Sequence, residues 1–196
     1  MAELEGTTAA VWGGGEAWTA ISDAISGAGA EVLRDPGDRE VDAFLGEAAE
    51  SLGRLDLVVI CIGGPTAPGP LAETSDDAWD DELDLCLGVA FRGIRRSLKQ
   101  MLGQPGGRIL LTTSVEAKLP RAGAAPYVAA QHGIAGLVKS VAHEVGPEGV
   151  FINALLCEPM ANGAEATAAA ALTLASPSMR SITGTLFPVH GGTVPY

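Results

Sequence analysis

The stretch "APYVAAQHGIAGLVKSVAHEVGPEGVFINALLC", residues 125–157, sets a long helical pattern (125–145) before a short unbroken run of β-type apolar residues, VFINALLC (150–157). A run of that kind fits a strand buried on both faces, and a helix alternating with such strands builds a parallel sheet. The same alternation continues outward in both directions. Strands are expected at 7–12, 30–34, 55–62, 107–114, 150–157 and 184–190, and helices near 15–28, 38–53, 75–102, 125–145 and 163–175. The pattern predicts an α/β fold: one doubly wound parallel sheet of about six strands with helices on both faces, in a single domain over 1–196.

Composition narrows the classes. A chain of 196 residues, 47% hydrophobic and 18% charged, has the material for one core and too little for two ordinary domains. Its net charge of −12 and the lack of a basic block argue against nucleic acid and anionic membranes as partners. The longest apolar run, LVVICI (57–62), is far too short to span a bilayer, and MAELEGTTAAV shows no basic segment followed by an apolar one, so a cytoplasmic location is expected. Cys61, Cys86 and Cys157 are widely spaced and odd in number, which indicates neither a disulfide framework nor a zinc site. In the 75–102 helix, Asp76, Asp77, Asp80, Asp81 and Glu82 crowd the start and Arg92, Arg95, Arg96 and Lys99 the end, which suits the helix dipole and reads as a solvated face.

Several segments in order then resemble the short-chain dehydrogenase/reductase family of Rossmann-fold oxidoreductases. They are AAVWGGG (9–15), GRLDLVVICIGG (53–64), WDDELDLCLGVAFRGIRRSL (79–98), GGRILLTTSVEA (106–117), residues 125–160 and ITGTLFPVHGG (182–192). Ser114 stands thirteen residues before Tyr127, the interval of the family's catalytic Ser and Tyr. The resemblance implies NAD(P) as cofactor and hydride exchange with an alcohol or ketone.

The departures from the family pattern fall around one cleft. The family's Thr-Gly-x-x-x-Gly-x-Gly reads Trp12, Gly13, Ala17 and Thr19 at its fixed positions. Gly13, Gly14 and Gly15 still permit a turn, but Ala17 adds a Cβ beside the phosphates and Thr19 is expected to crowd the helix against the sheet. The family's Asn-Asn-Ala-Gly is Ile60-Cys61-Ile62-Gly63, its tetrad Asn aligns with Cys86, and its Pro-Gly aligns with Cys157-Glu158 before Pro159. Room for only one helix separates 27–35 from 52–56, so an edge strand and helix of the adenine wall are absent, and the stretch from Pro159 to Ile182 is too short for the usual substrate lid. Asp35 reads either as a ribose ligand or, more simply, as an exposed turn acid before Pro36-Gly37.

The family's Lys, which lowers the Tyr pKa and holds the nicotinamide ribose, is replaced by Gln131, one turn from Tyr127. A glutamine can hydrogen-bond a ribose but brings no charge to stabilise a phenolate. His132 points about 100° away around the helix and reads as a partly exposed structural residue. The cysteines read as small buried hydrophobes, or as a thiol cluster at the strand ends. Cofactor contacts at Gly13, Gly14, Gly15, Ala17, Asp35 and Gly63 are expected to be vestigial, leaving no NAD(P) binding or weak binding, with no metal.

Three functions follow. The leading expectation is a non-catalytic structural or regulatory subunit, assembling with itself or with an active relative through the helices at 75–102 and 125–145, where Ala129, Ala130, Gly133, Ala135 and Gly136 allow close packing. The alternative is an active NAD(P)-dependent ketoreductase or alcohol dehydrogenase using Ser114 and Tyr127 with an altered relay. The third is a non-redox ligand-binding protein.

Overall fold

A computed structural model describes residues 4–64, 68–104, 106–158 and 163–192. Six parallel strands run β1 (Thr8–Gly13), β2 (Glu31–Asp35), β3 (Leu57–Cys61), β4 (Gly107–Ser114), β5 (Val150–Cys157) and β6 (Leu186–Val189), in the order β2-β1-β3-β4-β5-β6. Six helices connect and flank them: α1 (Gly15–Gly27), α2 (Val41–Leu52), α3 (Asp76–Leu83), α4 (Val89–Met101), α5 (Ala125–Val145) and α6 (Gly163–Ala175). Every expected strand forms. The all-apolar β3, buried along its whole length, lies between β1 and β4.

Alternate strand residues feed two cores. Ala10, Val58, Ile60, Ile109, Leu111 and Ile152 pack beneath α2, α4 and α5, while Ala9, Val11, Leu57, Val59, Leu110 and Leu155 face α1 and α6. The helix boundaries have local causes. Gly53, in the left-handed region at φ 74°, ends α2, and Pro126 sits in the first turn of α5, where its missing N–H is no loss. Ser75 caps α3 by accepting from the Ala78 N–H at 3.2 Å.

The 75–102 helix is not continuous. A π-type turn at Asp84–Gly88 separates α3 from α4 and brings Cys86 to 2% exposure in the core. Local propensity does not mark this widening. The small residues of α5 divide: Ala130 and Ala135 are buried, and a Cβ on Gly133 would stand 2.8 Å from Leu87 Cδ2, whereas Ala129 and Gly136 face outward.

Among the described residues β2 and β6 are the outer strands. Arg34 of β2 pairs with Asp23 of α1 at 2.8 Å, and β6 contains Pro188. Only α2 lies between β2 and β3. The lid expectation concerns a stretch whose start, residues 159–162, lies outside the described residues, as does Pro159 itself.

Gly13 ends β1 at φ 121°, and a Cβ there would stand 2.2 Å from the Cys61 carbonyl oxygen. Gly13→Ala is expected to destabilise the chain by about 2–4 kcal/mol. Gly136→Ala, in a helix interior with open space around it, is expected to stabilise by about 0.5–1 kcal/mol. Urea unfolding of the two variants checks the opposite signs.

Candidate active site

The strand order reverses between β1 and β3, and the crevice beyond the carboxyl ends of the strands is where open α/β sheets place ligands. A cavity of about 670 Å³ lies there, between the start of α1, the Ile62–Gly64 segment, the end of β4, Tyr127 and the start of α6. A smaller one of about 210 Å³ shares Ile62, Gly63 and Gly64 with it and reaches Trp12, Gly13, Gly14 and Gly37. Together they form a groove from the glycine turn to Tyr127.

Ser114 and Tyr127 meet at one end of this groove. Ser114 closes β4, and its Oγ accepts from the Glu116 N–H at 3.1 Å. Tyr127 is 6% exposed, with its phenol near the Ser114 side chain. Burial pushes the phenol up to about 12, Ser114 opposes the rise, and Cys86, Glu116 and Glu82 add to it.

Gln131 is fully buried and turned toward the sheet. Its Oε1 accepts from Thr113 Oγ1 at 2.5 Å and from the Ser114 N–H at 3.0 Å, and its amide stands beside the Cys86 thiol. The carboxamide oxygen is thus committed to the end of β4. Cys86, also contacting Glu82, is pushed up to about 12, first by burial and then by the Glu82 charge. Cys61 is likewise raised to about 12 by burial, with Cys157 the next cause. Cys61 and Cys157 belong to the α1–α6 core and Cys86 to the opposite one, so the three thiols do not converge. Among the described residues no group of three or more His, Cys, Asp or Glu side chains is placed to hold a metal ion.

Asp35 is a turn acid, but a buried one at 4% exposure, which corrects the exposed reading. Its Oδ1 accepts from the Gly37 and Asp38 N–H groups, both at 2.9 Å, and its Oδ2 pairs with Arg39. Burial raises its pKa, and the Arg39 and Gly37 bonds outweigh that and leave it lowered. Thr19 is exposed and does not crowd the sheet. Its hydroxyl donates to the Gly15 carbonyl at 3.4 Å, because the helical turn directs Ile21, Ser22 and Ile25 inward instead. His132 is exposed, with Nδ1 2.9 Å from the Val128 carbonyl.

A dinucleotide laid along the groove would find a mixed welcome. The glycine turn precedes an α1 N-terminus that has no side-chain cap, so backbone N–H groups face the cleft in the manner that suits a pyrophosphate. Glu16 and Ala17 line the same end, and Glu116 and Glu158 add acid against Arg121, the single cation there among the described residues and itself paired with Glu116 at 3.1 Å. At the adenosine end the Asp35 carboxylate is already engaged. There the Pro36–Arg39 loop leans on the glycine turn: a Cβ on Gly14 would lie 3.2 Å from the Pro36 carbonyl, and the Trp12 indole donates to Arg39 O at 2.8 Å. The residues fit the backbone-recognised middle of a dinucleotide and not its adenosine end.

Sequence reasoning missed several contributors. Thr112 Oγ1 accepts from the Ile62 N–H at 2.9 Å and ties β3 to β4, the service expected of the missing Asn residues. Thr113 and Glu116 were equally silent, and Glu82, read as part of a solvated helix face, is instead buried at 4% exposure. The one available signal was the run Thr112-Thr113-Ser114, three hydroxyls that follow the apolar Ile109–Leu111 and end the strand.

Comparison with known proteins agrees with this arrangement. The family model for short chain dehydrogenases matches residues 23–171. The 3-oxoacyl-[acyl-carrier-protein] reductase FabG of Staphylococcus aureus is 35% identical over 116 residues, covering 59% of this chain and 47% of the reductase. The short chain dehydrogenase/reductase astE of Aspergillus oryzae is 34% identical over 158 residues, 79% of this chain and 58% of that one. The chain thus spans about half the length of the curated relatives it matches. A solved short-chain dehydrogenase/reductase from Serratia marcescens BCRC 10948 has the same fold, with a TM-score of 0.87 at 24% identity, covering 97% of this chain and 98% of that one. With sheet order, crevice and family model in accord, the chain belongs to the short-chain dehydrogenase/reductase family.

Proposed function

We propose that the chain is a slow reductase of small ketones that uses a weakly held NAD(P). The observation that carries this reading is that Ser114 and Tyr127 line the same larger cavity, with the phenol held protonated. A bound reduced nicotinamide would supply the hydride. Tyr127, with its pKa pushed up to about 12, keeps its proton at neutral pH and is suited to give it to a developing alkoxide. Ser114 orients the same oxygen. The reverse reaction needs the phenolate, and no cation among the described residues lowers the Tyr127 pKa. That the Staphylococcus relative is named a reductase supports the same direction.

The non-catalytic reading stays as the second, because Gln131 favours it. A neutral, fully buried carboxamide replaces the charge that would tune Tyr127 and bind a ribose. Exposed Leu85 and Phe91 on the α3–α4 segment, with Ala129 and Gly136 on α5, offer a surface for a second copy or for an active relative.

Titration with NADH and NADPH, followed by a ketone panel, separates the two. Weak saturable binding with turnover that falls by about 10²–10⁴ in Tyr127→Phe is expected for the enzyme. Absence of both binding and turnover, with co-purification of a family member, would decide for the subunit. In the pH profile of the enzyme, ketone reduction is expected to stay flat from pH 7 to 9. Alcohol oxidation should rise about tenfold per unit, as the phenolate fraction does below its pKa.

Stability should respond to alkali as well. Cys61, Cys86 and Tyr127 all have folded pKa values raised to about 12, so their contribution is complete below the unfolded values near 9 and 10 and is lost as pH climbs toward 12. Urea midpoints measured from pH 7 to 11 should be level at first and fall above pH 9. Gln131→Lys is expected to destabilise by about 1–3 kcal/mol, since it removes the acceptor of the buried Ser114 N–H, and to give no gain in turnover.

A further inference from the structure

A second cavity, of about 400 Å³, opens at the opposite, amino-terminal edge of the sheet, between the segments that lead into β1, β3, β4 and β5 and the turn after α6. It gathers Arg54, Arg108 and Arg180, three of the chain's 12 basic side chains, on a protein of net charge −12. The one acid lining it among the described residues, Asp56, is already spent. One oxygen accepts from the Thr8 N–H at 2.9 Å and the Thr8 hydroxyl at 3.1 Å, and the other pairs with Arg54. Arg108 is fixed by strand pairing, its N–H donating to the Asp56 carbonyl at 2.8 Å, and its Nε is buried without a hydrogen-bond partner. Neither Arg108 nor Arg180 has an ion pair among the described residues. Burial lowers the Arg108 pKa, the like charge of Arg180 lowers it further, and the Asp56 carboxylate opposes the fall without cancelling it.

We propose that this cavity is a binding site for a small organic anion, of the phosphate-ester class. Two guanidinium groups, Arg108 within the wall and Arg180 at the rim, match the charge of a phosphate dianion and offer forked donors to its oxygens. Phe151 and Pro177 supply apolar wall for the organic part, and the volume falls within the range of small-molecule sites, about 300–1,000 Å³. The site lies across the sheet from Ser114 and Tyr127 and is independent of the reductase reading.

Calorimetric titration at low salt with phenyl phosphate and with inorganic phosphate tests this. Phenyl phosphate should bind saturably, one per chain and more tightly than inorganic phosphate. Arg180→Ala should weaken it by about tenfold or more without lowering the unfolding midpoint of the free protein, because Arg180 is exposed. Arg108→Gln should weaken it at least as much. Lys139→Ala, removing an exposed cation on α5, should change affinity by less than about twofold, and Tyr127→Phe should leave it unchanged. Absence of saturable binding in the millimolar range, or binding that Arg180→Ala leaves intact, overturns the site. Equal affinity for the two probes overturns its assignment to an ester.

Discussion

One carboxamide oxygen governs the geometry of the crevice. Gln131 Oε1 accepts from both the Thr113 hydroxyl and the Ser114 N–H, and so fastens the middle of α5's first half to the last residues of β4. Everything chemically interesting hangs from these two elements. Ser114 ends the strand, Tyr127 stands one turn before Gln131 on the same helix face, and their approach in one cavity requires the helix and strand to keep this register. A lysine can answer neither donor. The position therefore serves as a structural fastener and cannot also serve as a local positive charge, so nothing at that place offsets the burial that raises the Tyr127 pKa.

The same trade recurs at the other end of the groove. In the Pro36–Arg39 loop the carboxylate of Asp35 binds backbone N–H groups of its own turn, while Trp12 reaches across to the Arg39 carbonyl. Polar groups that stand free to meet a ligand in a dinucleotide enzyme here satisfy the chain itself. What stays open is the part that depends on backbone alone, the glycine turn and the uncapped start of α1. The molecule keeps the shape of a dinucleotide crevice more faithfully than its side-chain chemistry.

This division explains what the sequence made legible. Strands such as LVVIC and VFINALLC are unbroken apolar runs, and the Ser114–Tyr127 interval is covalent spacing on two regular elements, so both could be read without coordinates. Asp35 could not: its burial depends on how a four-residue turn folds back, and the same letters would serve an exposed turn. Thr19 was misjudged because its helical phase, not its size, decides whether it meets the sheet. The π-type turn at Cys86 leaves the periodicity of its neighbours nearly intact, and the Gln131 bonds join residues 17 and 18 apart in sequence. Each failure turns on where a side chain points once the chain has folded, which its own letter does not carry.

The outer strands bear on how the protein behaves in a crowded solution. A parallel sheet ends in two rows of backbone groups that can recruit strands from other chains. On β2, Glu31 and Arg34 stand exposed, with Arg34 tied to Asp23. On β6, only four residues long, Pro188 offers no N–H to a neighbour. Charge on one rim and a missing donor on the other discourage further strands from adding, so the sheet is poorly suited to seed edge-to-edge aggregation.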